Sequence, residues 1–366
     1  MKLGFVTTSY PADASDYAGS FVATRVGEQA RQGHEITIVA AGTDTGVHNV
    51  FRIESALFSG EGAPERLANT GRLRAGLLSL GFTMQQAAAV RARLAGCDAI
   101  ESHWLTPSSL AVSLAFAGVP RQQRPSHHAV AHSGDVSLLE NLPMGGSLLR
   151  TILAQVDTLQ VVSDSLARRV AVLCGEGFVL PRLQVAPMEP SPHFFGVRAE
   201  PTGSDFVLGV GRLVPIKGFD DLLFAVGRMP GGQRPRVVLL GDGPEGERLL
   251  WLARRLSVEL ELRGRVAPSE VSRQLAKTAA LVVPSRTLSD GRREGAPVVI
   301  REAQAMGVPL LVSASAAEGL VPAPSITIFG ERNRHALCAA LHAAMGPARA
   351  TGVAPASRPA HHDTAA

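Results

Sequence analysis

Lysine is nearly missing from this chain: of its 36 basic residues only Lys2, Lys217 and Lys277 are lysines, and the rest are arginines. Aromatic residues are scarce too, at 5%, and no Lys/Arg run alternates with them. A surface that stacks nucleobases needs that alternation, so no nucleic acid is expected as a partner. Cys97, Cys174 and Cys338 are far apart, odd in number and outside any metal-ligand spacing, which excludes a disulfide framework and a thiolate metal site and leaves them as small core residues. No apolar run approaches the length of a membrane-crossing helix, and the opening MKLGFVTTSYPAD turns polar and meets proline too early for a signal peptide. The expectation is a soluble, cytoplasmic protein.

What is present is apolar mass. At 366 residues and 45% hydrophobic content the chain can bury more than one core, and two domains are expected. An N-terminal domain is placed at 1–195, a polar Gly/Pro-bearing linker at 196–204, a second domain at 205–345, and an Ala/Pro-rich tail, expected to be disordered, at 346–366. The excess positive charge lies beyond residue 200, in the half where a diphosphate ligand would be welcome.

Strand-like and helix-like segments alternate along both halves. Residues 3–8 read as a strand, 21–32 as a helix stopped at Gly33, and 35–41 as a second strand, a βαβ unit. Gly19, at the helix entrance, either lets a phosphate approach backbone amides or only shapes the turn. Residues 64–96 read as one or two helices in which Arg66, Arg72, Arg74, Arg91 and Arg93 accompany Leu67, Leu73, Leu77 and Leu80. Such a segment is most often an ordinary surface helix, and otherwise a peripheral membrane contact. Strands at 98–102 and 129–131 each run into a histidine, His103 and His132. Another strand, 157–163, precedes a helix over 164–173 capped by Ser163.

In the second half, a strand at 205–210 leads into Gly211-Arg212-Leu213-Val214-Pro215-Ile216-Lys217-Gly218 and a helix at 219–226. Arg212 and Lys217 at a strand-to-helix crossing can neutralise a diphosphate, arginine as a fork and lysine as a mobile point charge. Strand 237–240 ends in Gly241-Asp242-Gly243, a turn expected near a nucleotide, and helix 245–256 and strand 258–262 follow. The stretch 284–309 holds Glu294 and Glu302 on either side of a glycine-bearing turn. A strand at 280–283 precedes it, and a helix over 298–306 starts after Pro297 and closes at Gly307. The amides of Gly295 and Ala296 face whatever lies above the helix N-terminus, and the two carboxylates can accept hydroxyl hydrogen bonds from a polyol. Residues 310–312 read as the last clear strand and 333–345 as the last helix.

Several of these stretches resemble one family. Glu294-Gly295-Ala296-Pro297 through Glu302-Ala303-Gln304-Ala305-Met306-Gly307-Val308-Pro309, the Gly211-Arg212…Lys217-Gly218 loop, and His132-Ser133-Gly134-Asp135 are similar to the hallmarks of the retaining glycosyltransferases of family four. The resemblance implies the GT-B architecture, an α/β fold of two Rossmann-like domains facing a cleft. It implies transfer of a sugar from a nucleotide-diphosphate donor to an acceptor hydroxyl with retention of configuration, without metal or resident cofactor. It further implies roles: Arg212 and Lys217 on the leaving diphosphate, Glu294 and His132 on the donor sugar, Glu302 on the ribose, Gly19, Gly211, Gly241, Gly295, Ala296 and Pro297 around the donor, and Val266 at the base. His103 would belong to the acceptor region, and Asp135 would orient the loop or the acceptor. The sequence departs from the family at Glu189, where the family has glycine, and shows no terminal crossover helices after 345. Two alternatives stay open: a sugar-nucleotide epimerase or phosphorylase, and a non-catalytic sugar-nucleotide-binding partner.

Overall fold

Segments such as Val39-Ala40-Ala41, Val237-Val238-Leu239-Leu240 and Leu281-Val282-Val283 are buried over their whole length, as strands covered on both faces must be. The computed structural model describes residues 1–346 except 14, 15, 17, 18, 60–62, 200–203, 290, 296 and 321. Most of the tail expected to be disordered, from 347 on, lies outside the described residues. By contacts the chain divides into two units. The first comprises Met1–Glu189 with the described residues of 286–296 and 315–320, and the second comprises the other described residues from Pro190 on. The change of unit therefore comes ahead of the linker expected at 196–204, and two loops of the second half return to the first unit.

The first unit carries β1 (Lys2–Thr7), α1 (Ser20–Arg31), β2 (Glu35–Ala41), β3 (Val50–Ile53), α2 (Ala63–Asn69), α3 (Arg72–Leu94), β4 (Ala99–His103), α4 (Leu110–Ala115), β5 (Ser126–Ala131), α5 (Ser133–Glu140), α6 (Gly145–Leu153), β6 (Thr158–Val161), α7 (Asp164–Cys174), α8 (Glu176–Val179) and β7 (Leu183–Val185). Its sheet has the order β3-β2-β1-β4-β5-β6-β7, with all pairings parallel. Val6, Val39 and Ile100 meet Val90 and Leu94 of α3 on one face, while Phe5, Ile38 and Ala40 receive Val22 and Val26 of α1 in a separate cluster. The Ser163 side chain accepts from Leu166 N at 3.2 Å and starts α7 as its sequence predicts.

The second unit carries β8 (Phe206–Val210), α9 (Phe219–Gly227), β9 (Arg236–Leu240), α10 (Gly246–Leu256), β10 (Leu260–Leu262), α11 (Pro268–Lys277), β11 (Leu281–Val283), α12 (Val298–Met306), β12 (Leu310–Ser313), β13 (Ile326–Phe329) and α13 (Arg334–Met345). Its sheet order is β10-β9-β8-β11-β12-β13, again parallel. α12 has the predicted limits because Pro297 cannot extend it backwards and Gly307 closes it at φ 73°. One core gathers Val207, Leu222, Val237, Leu249, Val282 and Leu337. In each sheet the strand order reverses once, between β1 and β4 and between β8 and β11, and at such a switch point the loops leaving the strand C-termini diverge and open a crevice for a ligand.

Candidate functional site

In the first unit the switch point is lined by side chains. β4 delivers His103 and β5 delivers His132, whose residue caps α5. His132 Nε2 lies 3.4 Å from His103 Nδ1, and His103 Nε2 lies 3.1 Å from Glu101 Oε1. The other carboxylate oxygen is 3.3 Å from Arg25 Nε. Burial alone would raise the Glu101 carboxyl, but the His103 hydrogen bond and the charges of His103 and Arg25 outweigh it and bring it down to about 2. The His103 ring therefore bridges the ionised Glu101 on one side and His132 on the other. Burial and the neighbouring His103 push His132 well below the usual histidine range, so it is neutral at pH 7. Aromatic rings enclose it: Trp104 at 4.3 Å and Phe21 at 5.1 Å between centroids. Trp104 has a positive φ of 78°, and its indole N–H is buried with no hydrogen-bond partner among the described residues.

Asp135 is spent on the backbone. Its Oδ2 accepts from Leu105 N at 2.6 Å, and its Oδ1 accepts from His132 N at 3.0 Å and Val136 N at 2.8 Å. Of the two roles open to it in the sequence, this geometry is that of a loop brace. Burial pushes its carboxyl up to about 7 despite those N–H donors. His103, placed in the acceptor region by the resemblance, has no exposed surface and lies between Glu101 and His132. Gly19 caps α1 at φ 70°, and a Cβ there would stand 2.0 Å from the Ser9 carbonyl oxygen, so the turn itself demands glycine.

The loop bearing Glu294 docks on the same turn. Ser133 Oγ donates to the Arg293 carbonyl at 3.0 Å, and Arg293 Nη2 donates to Ser165 Oγ at 2.5 Å. A Cβ on Gly295 would lie 2.8 Å from that of Ser133. Glu294, between these two anchored residues, is thereby held next to the His132-Ser133 turn. Ala296 lies outside the described residues.

The second unit's switch point is built from backbone. Gly211 follows β8 at φ 142°, and the place of its missing Cβ is filled by the Lys217 stem, with Cε 2.7 Å and Nζ 2.9 Å from it. A Cβ on Gly218 would meet the Pro284 carbonyl oxygen at 2.1 Å, one on Gly241 that of Gly211 at 2.0 Å, and one on Gly243 that of Leu213 at 2.5 Å. The loops after β8, β9 and β11 thus touch main chain to main chain. The loop after β10 joins them, since Gly241 N donates to Gly264 O at 2.8 Å, and it leads on to Val266 before α11. Lys217 and the half-buried Arg212 sit at the entrance of α9, capped by Gly218 at φ 66°. The carboxylates of the first turn of α9 have arginine partners: Asp221 with Arg334 at 2.6 Å and Asp220 with Arg248 at 3.4 Å. Glu302 lies on α12, after the Pro297 cap. Burial pushes its carboxyl up to about 7, and among the described residues nothing hydrogen-bonds it.

The sequence reading named His132, Glu294, Arg212, Lys217 and the glycines, and passed over Phe21, Arg25, Glu101, Trp104, Ser133 and Arg293. Glu101 carries no local sign of its role, being one charged residue inside a strand.

Residues 191–320, which contain the Gly211–Gly218 loop and both glutamates, match the family described as glycosyl transferases group 1. A GDP-mannose-dependent monoacylated alpha-(1-6)-phosphatidylinositol monomannoside mannosyltransferase of Corynebacterium glutamicum is 27% identical over 59% of this chain, and the match spans 60% of that relative's length. Among solved structures, sucrose-phosphate synthase from Thermosynechococcus elongatus superposes with a TM-score of 0.70 at 16% identity, covering 94% of this chain and 89% of its own. The Anabaena protein HepE in complex with UDP and glucose does so with a TM-score of 0.68 at 16% identity, covering 94% and 90%. These likenesses establish the fold as the two-domain α/β architecture that the resemblance implied. With its strand-end loops and its glutamates, the segment 191–320 is similar to the group 1 glycosyltransferases.

Proposed function

We propose that the chain transfers a glycosyl group from a nucleoside-diphosphate sugar to an acceptor hydroxyl, with retention of configuration and without a metal ion. The observation that carries this reading is the Lys217 ammonium laid over Gly211 where α9 begins. A point charge, an arginine and a helix N-terminus together answer a departing diphosphate, whose charge grows in the transition state. Glu302, raised by burial and short of a hydrogen-bond donor, is suited to ribose hydroxyls. His132, neutral and held against His103, and Glu294 beside it are suited to the sugar. With no carboxylate assigned as a covalent nucleophile, an oxocarbenium-like step with attack from the leaving-group face fits best. Cytoplasmic work on a glycan, glycolipid or small-metabolite acceptor accords with this chemistry.

The test is a screen of UDP-, GDP- and ADP-sugars with purified protein in the absence of added metal, following nucleotide release. Release from one donor, lost in Lys217→Ala, is the expected result. Donor isomerisation without acceptor, a requirement for inorganic phosphate, or donor binding with no turnover under any acceptor would each overturn it in favour of an epimerase, a phosphorylase or a binding partner.

A further inference from the structure

α3 is 23 residues long, Arg72–Leu94, and one face of it has a purpose in the fold: Phe82 lies 4.9 Å from Phe58 between ring centroids, Gln86 Nε2 donates to Thr7 O at 3.2 Å, and Val90 and Leu94 enter the core. The opposite face has none. Leu73 is 81% exposed, Leu77 64%, Leu80 58% and Met84 54%. At 3.6 residues per turn, steps of four, three and four keep these side chains within an arc of about 60°. Four large apolar groups in one line are not scattered surface residues but a continuous patch that water solvates poorly.

Charge selects what covers it. Every charged residue of α3 is an arginine, at 72, 74, 91 and 93, and the helix contains no carboxylate. Arg74 flanks the stripe, and Arg91, seven residues beyond Met84, continues it. Arg74 and Arg91 are exposed, the Arg91 guanidinium lying 5.5 Å over the Phe116 ring, while Arg93 turns to the far side of the helix over Phe51. A second copy of the chain seated on this stripe would set arginine beside arginine with no acid to pair with on either helix, which opposes association. A layer of phosphate headgroups offers anions to the arginines and an apolar boundary to the leucines. Among the described residues no helix is long and apolar enough to cross a membrane, so the contact is along the surface.

We propose that the Leu73/Leu77/Leu80/Met84 stripe of α3 is a docking surface for an anionic lipid bilayer, independent of the proposed transferase reaction. The full chain should co-sediment with vesicles of phosphatidylcholine and phosphatidylglycerol at low salt, at least ten-fold more tightly than with phosphatidylcholine alone, and should be released as salt rises. Leu77→Asp with Leu80→Asp should weaken this at least ten-fold with thermal unfolding unchanged, both side chains being exposed, and Arg74→Glu should weaken it several-fold. The proposal is overturned if the wild-type chain fails to bind the anionic vesicles, if both lipid compositions bind alike, or if the double variant binds as well as the parent. A concentration-dependent dimer in sedimentation velocity that the double variant abolishes would assign the stripe to a second copy and overturn it too.

Discussion

The two switch points of this molecule are made of different material. In the first unit Phe21, His103, Trp104 and His132 stand ring against ring over a half-buried ion pair, so the character of the crevice is set by side chains. In the second unit Gly211, Gly218, Gly241 and Gly243 let four loops close on one another through their main chains. A site of side chains can change its ligand by substitution while the fold persists. A site of main chain is as fixed as the sheet it ends, and offers the same amides and helix terminus to any ligand sharing a diphosphate.

The largest effect should come from breaking the main-chain site. Gly241→Ala would force a Cβ to 2.0 Å from the Gly211 carbonyl at φ 135°, and should cost on the order of 4 kcal/mol in urea unfolding. Gly264→Ala is the control: its φ of 65° is also left-handed but nothing lies within 4 Å, so about 1 kcal/mol is expected. Lys217→Ala should separate function from fold, lowering turnover by roughly 100- to 1,000-fold with little change in melting temperature. If its stability falls as far as that of Gly241→Ala, the lysine is packing rather than charge.

In the first unit Glu101→Ala should cost about 2 kcal/mol at pH 7, since it leaves His103 and Arg25 without their acceptor. The sign with pH follows from its lowered carboxyl. Glu101 titrates near 2 in the fold against an ordinary 4.5, so its contribution is full above about 4.5 and fades as pH falls toward 2. Acid titration of Glu101→Gln should lack that loss. Glu302 has the opposite sign. Raised from 4.5 to about 7, it keeps its proton in the fold over a range where the unfolded chain has released it, so stability declines as pH rises through that window. Glu302→Gln should remove the decline, about 1 kcal/mol for a group that is only partly buried.

Much of this could be read in the sequence, and what could not has physical reasons. Parallel strands announce themselves as unbroken apolar runs, so β2, β8 and β11 were legible, and α12 was bounded by its own proline and glycine. β13 was missed because two of its four residues are exposed at the sheet edge. α6 begins Gly145-Gly146, which reads as a loop; a Cβ at Gly145 would lie 1.8 Å from the Leu139 carbonyl oxygen, so the glycines serve close packing rather than a turn. The charged and glycine residues of the candidate site were legible because their chemistry is local. The Glu101–His103–His132 chain was not, because it joins two strands whose register no single segment encodes.

The docking of the Arg293 loop on the Ser133 turn bears on how the chain can be taken apart. A fragment ending at Glu189 would keep its seven-stranded sheet but lose the loop whose Arg293 engages Ser133 and Ser165. Its His132-Ser133 turn would be half dressed, and a synthetic peptide spanning that loop, added back in solution, becomes a means of restoring it.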